Sequence, residues 1–348
     1  MNILYITSDN LESPCCGSAI RSKNIYDALC QLGDVTIYSP EKHPKENVIE
    51  IAFRKFAKIV RYPFGPSPIL QNSKINHKNF DAIVCRYIMN ASATRPWKVA
   101  PCFIDIDDDP IMAFDNVEAK SLPCFLRPIG HLLVKLCSSY CLHRCRGYWT
   151  IDELPNIACM PSKDYFKYKP ETNGKQYLLS VGLMSYSPNA EGVEWFLEQI
   201  WPTVQIEFPN LIWKIVGRGM SEELKTKCLK AHNIEVLGFV DNLEPLYRGA
   251  IAVVAPVLSG AGTCIKVREA ALYGKIVLGT KVAFRGCPEN YNTGQYIIDT
   301  ASCVDSIRKI QSLSEQQRAE VEAIISQNAL RENSFDSFAN IIKLKLIG

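Results

Sequence analysis

The chain has 348 residues, which is enough for two domains of ordinary size, each with its own hydrophobic core. Its hydrophobic fraction of 47%, charged fraction of 22% and net charge of +3 exclude a disordered chain and give no indication of nucleic-acid binding. No apolar run approaches the roughly 18–20 residues of a membrane span, and the start, MNILYITSDN, is typical of a first β-strand rather than a signal peptide.

The first half of the chain alternates short apolar runs with segments of helical periodicity. The predicted strands are NILYIT, DVTIYSP, FDAIVCRY and APCFIDID, and GYWTID closes this half. Helices are predicted over SAIRSKNIYDALCQLG and over about 118–145. Because this alternation is typical of parallel sheets covered on both faces, residues 1–165 are predicted to form a doubly wound α/β domain.

The chain contains fourteen cysteines, which we expect to be free buried thiols, because a disulfide framework is typical of short secreted chains. Cys137, Cys141 and Cys145 recur every four residues, as in a helix stripe packed as small hydrophobes. A metal site with His143 is the less favoured interpretation, since zinc-binding pairs usually have the closer spacing C-x2-C.

Two segments mix cations with bulky apolar residues. One is FRKFAKIVRYPF, with Arg54, Lys55, Lys58 and Arg61, and the other runs over 120–146. This pattern is compatible with a surface that rests on anionic lipid. Taken alone, each segment fits an ordinary solvated helix face better.

An acidic cluster follows the strand APCFIDID. It consists of Asp105, Asp107, Asp108 and Asp109. Three interpretations stay open: a polar wall of an active site, a capped structural turn, or a D-x-D metal site.

The second half repeats the α/β pattern after a Pro-, Lys- and Gly-rich linker, IACMPSKDYFKYKPETNGKQ. Its predicted strands are QYLLSVG, LIWKIVG, IEVLGFV, IAVVAPV and KIVLGT. We expect a second doubly wound domain over 166–330 and a final helix over 331–348 that crosses back to the first domain. Ligands in such sheets bind beyond the carboxyl ends of the strands, so a cleft between the two domains is the expected site.

The segment APVLSGAGTCIKVREAALYG lies at the carboxyl end of one of these strands. Gly260, Ala261 and Gly262 would let the backbone approach a ligand closely. Thr263 is a good N-cap, which predicts a helix from Cys264 whose first N–H groups favour an anion.

Lys266 and Glu269 lie on one face of this predicted helix. A cation in a first helical turn is unfavourable with the helix dipole, and an anionic ligand such as phosphate would offset that cost. A carboxylate one turn later can accept hydrogen bonds from vicinal hydroxyls, as on a ribose. The pair predicts a nucleotide site, with a surface Lys–Glu pair as the alternative.

This segment resembles the donor site of the family 4 retaining glycosyltransferases, which have the GT-B fold, and in particular a subset with the motif G-x-G-T-x-x-K-x-x-E-A. Three stretches that precede this segment also resemble that donor domain. LLSVGLMSYSPNAEGVEWFLEQIWP resembles its opening, and IVGRGM and VLGFVDNLEPLY resemble the blocks that follow, in the same order. SPCCGSAIRSKNIYDALCQLGDVTIYSP and FIDIDDDPIMAF resemble the first domain more weakly. The resemblance implies two Rossmann-like domains facing a cleft.

The resemblance also implies roles for individual residues. Lys266 would hold the donor diphosphate, helped by the backbone of Gly262, Thr263 and Cys264, and Glu269 would hold the ribose. The remaining implied donor contacts are Gly260 in the same loop, Arg218 as a second phosphate ligand, Phe239 and Val240 beside the base, and Gly17 from the first domain. For Arg218, a solvated loop arginine is nearly as good an interpretation.

Three departures from the family pattern are visible. Ala261 stands where many members carry the first of two glutamates, and Ser185 and Tyr186 stand where they carry a basic pair. No histidine follows a strand in a suitable first-domain loop. Asp105 and Asp107 stand in the general region of the first domain where the family carries that histidine. With Lys266, they are the candidate catalytic residues.

The function implied by the resemblance is transfer of a hexosyl-type sugar, with retention, from a UDP- or GDP-linked donor to a glycan or lipid-linked acceptor. No metal or other cofactor is expected. The implied setting is O-antigen or capsule synthesis, in the cytoplasm or peripherally on the inner face of the membrane. The alternatives are a non-catalytic nucleotide-sugar-binding protein and another GT-B activity, such as a nucleotide-sugar epimerase.

Overall fold

The computed structural model describes residues 1–12, 17–39, 67–72, 75, 78–107, 110–111, 114, 123–167, 176–260, 263–287, 294–296 and 299–348. They form two compact units. The first unit consists of Met1–Asn156 with Phe335–Gly348, and the second consists of Ile157–Ser334. The division therefore falls upstream of the predicted boundary at 165/166, and the last helix of the chain belongs to the first unit from Phe335 onward.

The chain passes from one unit to the other at 156/157 and again at 334/335. Polar contacts near these two crossings hold each segment to its own unit. In the first unit, Arg21 Nη1 donates to the Leu154 carbonyl oxygen (2.7 Å) and to Asn156 Oδ1 (2.9 Å). In the second unit, the Asn333 side chain accepts from the Ala158 amide (2.7 Å) and donates to the Ala158 carbonyl oxygen (3.0 Å). Each outgoing segment is thereby held to its own unit up to the crossing.

The first unit contains a parallel sheet of five strands in the order β2-β1-β3-β4-β5. The strands are β1 (Asn2–Ile6), β2 (Asp34–Tyr38), β3 (Ala82–Arg86), β4 (Cys102–Asp105) and β5 (Gly147–Trp149). The helices are α1 (Gly17–Cys30), α2 (Ile88–Thr94) and α3 (Arg127–Arg144), with short 3-10 turns at Pro68–Gln71, Pro96–Lys98 and Cys124–Leu126. The last helix of the chain (Phe335–Ile347) packs on α1. This is the predicted doubly wound arrangement.

The core of this unit is built from the apolar residues that alternate along its strands, including Leu4, Ile83 and Ile104. Cys137 and Cys141 are buried against them, which agrees with the interpretation of the cysteine stripe as packing. Every cysteine in the described part of the chain is a free thiol. The basic segment 54–61 lies outside the described residues.

A buried ion cluster lies at the carboxyl ends of β3 and β4. The Asp105 carboxylate accepts from Arg21 Nη2 (2.6 Å) and Nε (2.9 Å) and from Arg86 Nη1. Arg86 Nη2 also contacts Asp107 (3.1 Å), and the Arg21, Arg86 and Asp105 side chains are fully buried. Burial raises the pKa of the Asp105 carboxyl, but the two guanidinium groups outweigh it, so the net shift of this pKa is downward.

The second unit contains a parallel sheet of six strands in the order β11-β10-β9-β6-β7-β8. The strands are β6 (Tyr177–Val181), β7 (Ile212–Val216), β8 (Ile234–Gly238), β9 (Ala252–Ala255), β10 (Val277–Gly279) and β11 (Gly294–Tyr296). The helices are α4 (Ser187–Trp195), α5 (Trp201–Glu207), α6 (Glu222–Lys230), α7 (Glu244–Gly249), α8 (Ile265–Leu272), α9 (Thr300–Ser312) and α10 (Glu315–Glu332), and the final helix of the chain is α11 (Phe335–Ile347). A 3-10 turn covers Tyr165–Lys167, and a π-helical turn, Phe196–Ile200, joins α4 to α5.

An aromatic cluster fills the core beside β6 and β7. The Trp213 ring lies 4.8 Å from the Phe196 ring and 5.6 Å from the Trp201 ring, centroid to centroid. On the other side of the sheet, α8 buries Val267, Ala270 and Ala271. None of the helices in the described ranges is long and apolar enough to cross a bilayer.

We predict that Asp105→Ala strongly destabilises the protein. Removing one partner of a buried pair leaves uncompensated charge, so the free energy of unfolding should fall by about 3–5 kcal/mol. The matched control is Asp27→Ala, which removes a partly exposed pair with Lys23 and should cost at most about 1 kcal/mol. Urea unfolding at pH 7 measures both, and equal midpoints for the two variants would contradict the role of the cluster.

The same cluster predicts a pH dependence. Because the pKa of Asp105 is lowered in the folded state, its contribution is fully present above the unfolded value of about 3.9 and is lost as pH falls through the folded value. In Asp105→Ala this part of the acid destabilisation should be missing. Parallel acid titrations of stability for the wild type and the variant measure the difference.

Candidate functional site

The candidate site lies at the carboxyl ends of β6 and β9, which are parallel neighbours in the sheet. The next strand after β6 is β7, on one side of this pair, and the next strand after β9 is β10, on the other side. Such a reversal of strand order opens the crevice in which doubly wound sheets bind ligands. The backbone ladder between these strands covers only Leu178 with Ala252 and Leu179 with Val253. Beyond it, the Ser180 hydroxyl donates to the Val254 carbonyl oxygen (2.9 Å). The strands are thus held together up to the base of the crevice.

Glycines allow the loops beyond these strands to approach one another. A Cβ on Gly217, after β7, would lie 1.7 Å from the Gly182 carbonyl oxygen. A Cβ on Gly182, after β6, would lie 3.2 Å from Lys266 Nζ. A Cβ on Gly192, in α4, would lie 2.0 Å from the Pro256 carbonyl oxygen, after β9. The three loops therefore converge around the start of α8.

Lys266 is the central charged group of this site. Its Nζ donates to Asn189 Oδ1 (2.6 Å), and Asn189 Nδ2 donates to the Leu183 carbonyl oxygen (2.8 Å). Burial lowers the pKa of the ammonium, and within the described residues the opposing influence comes from Cys264 and not from a carboxylate. A half-buried cation held by a neutral amide is ready to bind an anion.

Glu269 lies one turn further along α8 and has a separate partner. Its Oε2 accepts from the Tyr247 hydroxyl (3.0 Å). Tyr247 is fully buried and stacks on Tyr273, with ring centroids 4.3 Å apart and planes 5° apart. Burial raises the pKa of the Glu269 carboxyl, and the bond from Tyr247 lowers it by a smaller amount. The alternative of a Lys266–Glu269 ion pair is thus not what the structure contains.

Arg218 and Phe239 lie together at the ends of β7 and β8. The Arg218 guanidinium carbon is 3.6 Å from the centroid of the exposed Phe239 ring, a cation–π contact. The Arg218 carbonyl oxygen accepts from the Met184 amide (2.7 Å), which ties this loop to the one after β6. Val240, the next residue after Phe239, is partly buried against the core. A flat aromatic surface and a cation therefore lie at the same edge of the sheet as Lys266.

The loop before α8 differs from the prediction at one point. The helix begins at Ile265, with Cys264 in the cap position and no side-chain cap bond, so the prediction of Thr263 as N-cap was wrong. A Cβ on Gly286 would lie 2.8 Å from Thr263 Oγ1, so the loop over 281–287 packs closely on Thr263. Gly260 has a φ of 132°, and its carbonyl oxygen accepts from Arg285 Nη1 (2.7 Å). Ala261 and Gly262 lie outside the described residues.

The first-unit residues named by the sequence are placed as follows. Gly17 is the first residue of α1. Asp105 is closed to solvent by Arg21 and Arg86, whereas the Asp107 side chain stays about 10% exposed. No group of three or more His, Cys, Asp or Glu side chains within the described ranges is arranged to hold a metal ion, and Asp108 and Asp109 lie outside those ranges.

Sequence reasoning missed three residues of the site: Asn189, Tyr247 and Arg285. Asn189 lies within the stretch LLSVGLMSYSPNAEGVEWFLEQIWP without a role predicted for it, and it is 77 positions from Lys266 in the chain. Tyr247 is the last residue of the stretch VLGFVDNLEPLY, has no role predicted for it from the sequence, and lies 22 positions before Glu269. These contacts depend on how β6, α7 and α8 are arranged, which spacing along the chain does not show.

Comparison with known proteins gives the site a context. Residues 175–316 match the family model described as Glycosyl transferases group 1. A protein of Klebsiella pneumoniae, described as an uncharacterized 44.6 kDa protein in the cps region, is 26% identical over 159 residues. That match covers 43% of this chain and 39% of the relative, so the chain aligns with well under half of the relative's length.

Solved structures share the whole fold at low identity. WaaG, described as a glycosyltransferase involved in lipopolysaccharide biosynthesis, matches with a TM-score of 0.63 and 12% identity over 99% of this chain and all of that one. The trehalose-6-phosphate synthase of E. coli, solved with UDP-2-fluoro glucose, matches with a TM-score of 0.62 and 10% identity over 99% of each chain. The α/β fold with two doubly wound units is therefore the GT-B fold, as predicted.

We predict that Tyr247→Phe weakens nucleotide binding and makes it more sensitive to acid. The variant removes the donor that keeps Glu269 ionised, so the pKa of Glu269 should rise further and the carboxylate should be lost at a higher pH. At pH 7 the loss should be about two- to tenfold in affinity.

Calorimetric titration with UDP and GDP from pH 5 to pH 8 measures this effect. Tyr273→Phe is the matched control, because it keeps the stacked ring pair and leaves the Tyr247 hydroxyl in place. A pH profile of Tyr247→Phe identical to that of the wild type would remove Glu269 from the nucleotide site.

Proposed function

We propose that the protein is a glycosyltransferase that takes a hexosyl-type sugar from a UDP- or GDP-linked donor and transfers it with retention of configuration. The observation that carries the proposal is the Lys266 ammonium. It lies in the first turn of α8 at the reversal of strand order, it is half-buried, and its hydrogen-bond partner is the neutral Asn189 side chain. A donor diphosphate supplies the anion that such a site lacks.

The roles of the remaining site residues follow from their positions. The N–H groups at the start of α8, from Thr263 and Cys264 onward, face the same anion as Lys266, with Gly260 and Gly262 allowing close approach. Glu269 accepts hydrogen bonds from the ribose hydroxyls. Phe239, with Val240 beside it, is assigned to the base, which would meet the exposed part of the ring that the Arg218 guanidinium does not cover. Arg218 is assigned to a phosphate of the donor. Gly17 is assigned to the donor, as the resemblance implies, and Asp107 is the first-unit residue assigned to the acceptor side.

The proposed chemistry is a front-face substitution at the anomeric carbon. The bond from this carbon to the diphosphate oxygen breaks, the bond to the acceptor oxygen forms on the same face, and the acceptor proton passes to the departing phosphate. The protein stabilises the charge that develops on the diphosphate through Lys266 and the helix start. It also holds donor and acceptor in register. The buried Asp105 acts in this scheme as a positioning residue, because its oxygens are occupied by Arg21 and Arg86.

The cps-region relative and the likeness to WaaG support a setting in bacterial surface polysaccharide synthesis, either capsule or O-antigen. The motif GAGTCIKVREA supports assignment to the family 4 subset. A glycan or lipid-linked acceptor, met on the cytoplasmic side of the membrane, completes the proposal.

We expect Lys266→Ala to lower turnover by about 10²–10³, because it removes a preorganised charge from the leaving group. Folding should be unchanged or slightly improved, since a cation leaves the start of a helix. Lys281→Ala, an exposed lysine in the neighbouring loop over 281–287, is the control and should keep full activity. Release of UDP or GDP from a panel of nucleotide sugars, with and without acceptor glycans, is the measurement.

This measurement also separates the alternatives. Wild-type turnover in Lys266→Ala would contradict the assignment of the diphosphate site. Nucleotide-sugar binding with no turnover under any condition would indicate a non-catalytic binding protein, and interconversion of donor sugars without acceptor would indicate an epimerase.

Metal removal tests how the diphosphate charge is balanced. If Lys266 and the helix start carry it, activity should survive an excess of EDTA. Activity that disappears with EDTA and returns with Mg²⁺ or Mn²⁺ would instead support a metal site that includes Asp107 and the residues after it.

A further inference from the structure

The solvent-facing side of α3 is apolar. Phe125, in the turn before the helix, is 72% exposed, Ile129 is 49% exposed, and Leu132 and Leu136 are each 57% exposed. They are spaced four, three and four residues apart, which places them along one side of the helix. We call these four residues the α3 face.

The opposite side of the same helix already supplies its contribution to the core. Gly130, Val134, Cys137 and Cys141 are the buried residues of α3, and Cys137 and Cys141 belong to the core of the first unit. A surface helix normally carries polar residues on its outer side. The α3 face thus lies outside the core of the first unit, and a row of bulky apolar side chains in water is typical of a docking surface.

The charged residues of α3 and of the segment directly after it are of one sign. From Pro123 to Trp149 the chain has no aspartate or glutamate. Arg127, Lys135, Arg144 and Arg146 all lie in this stretch and are exposed. Lys135 directly precedes Leu136 in the chain. A matching partner is therefore apolar at its centre and anionic around it.

We propose that the α3 face docks on an anionic membrane surface. In this arrangement the helix lies in the plane of the interface, the four apolar side chains enter the headgroup region, and the cations contact lipid phosphates. A second copy of this chain is a poorer partner, because docking face to face would bring like charges together. The inference extends the proposed function, since a lipid-linked acceptor would lie at the same surface, but its test needs neither donor nor acceptor.

The test is sedimentation of the full chain with vesicles of equal parts phosphatidylglycerol and phosphatidylcholine, against pure phosphatidylcholine. The wild type should bind the anionic vesicles in about 0.1 M salt and bind them more weakly in about 1 M salt, where the screening length falls to about 3 Å. Leu132→Ser combined with Leu136→Ser should lower the bound-to-free ratio by about tenfold or more. Lys135→Glu combined with Arg127→Glu should lower it by a similar factor.

The matched control is Ile206→Ser combined with Leu229→Ser, two exposed apolar residues on helices of the second unit. This variant should bind vesicles as the wild type does. Thermal unfolding and UDP or GDP binding, measured on every variant, show that the chain is folded and that the donor site is intact. If the wild type binds neither UDP nor GDP, the proposed function is contradicted. Vesicle binding reports on the α3 face alone.

Three results would overturn the inference. The first is vesicle binding by the serine variant equal to that of the wild type. This includes the case in which charge reversal at Arg54, Lys55, Lys58 and Arg61 abolishes vesicle binding and the serine substitutions do not. The second is equal wild-type binding to phosphatidylcholine and to anionic vesicles. The third is a dimer, seen by light scattering, that the serine variant dissociates while neither protein binds vesicles.

Discussion

The parallel pairing of β6 with β9 is the constraint on which the geometry of the candidate site depends. The two strands share only a short ladder, and the Ser180 hydroxyl extends the connection to the Val254 carbonyl oxygen. The indole N–H of Trp213 donates to the same hydroxyl (2.9 Å), so three neighbouring strands are tied together just below the crevice. The loops that leave these strands can converge only because glycines stand where a Cβ would strike backbone. Lys266 and Glu269 enter this crevice from the start of α8.

The charged side chains at the strand ends of the two units have different kinds of partner. At the strand ends of the first unit, the charges of Arg21 and Arg86 are met by Asp105 and Asp107, so the cluster is satisfied internally. At the strand ends of the second unit, Lys266 is held by an amide and Glu269 by a phenol. A buried cluster with its own counter-ions leaves little charge for a ligand to meet, whereas a half-buried cation whose hydrogen-bond partner among the described residues is a neutral amide favours an anionic ligand. This difference in compensation is why we assign the donor to the second unit.

Site rigidity comes from residues that would not contact the donor themselves. Asn189 spans from the Leu183 carbonyl oxygen to Lys266, so the loop after β6 and the start of α8 move as one piece. Tyr247 is held by stacking on Tyr273 and in turn orients Glu269. Preorganisation of this kind reduces the reorganisation required when charge develops on a leaving group.

The sequence by itself determined the strand–helix alternation, the two doubly wound units and the segment that carries Lys266 and Glu269, because these are local patterns of hydrophobicity, glycine and charge. It also identified Asp105 and Asp107 but left their role open, since the guanidinium groups that surround Asp105 come from α1 and β3, 84 and 19 positions away. Only the tertiary structure decided that Lys266 pairs with Asn189, that Glu269 pairs with Tyr247, and that the leucines of α3 face solvent. Each of these depends on which elements pack side by side, a relation between distant parts of the chain that spacing along it does not encode. The cap of α8 shows the same limit at short range: Thr263 has the right side chain, but Cys264 occupies the cap position, and Thr263 lies against the 281–287 loop.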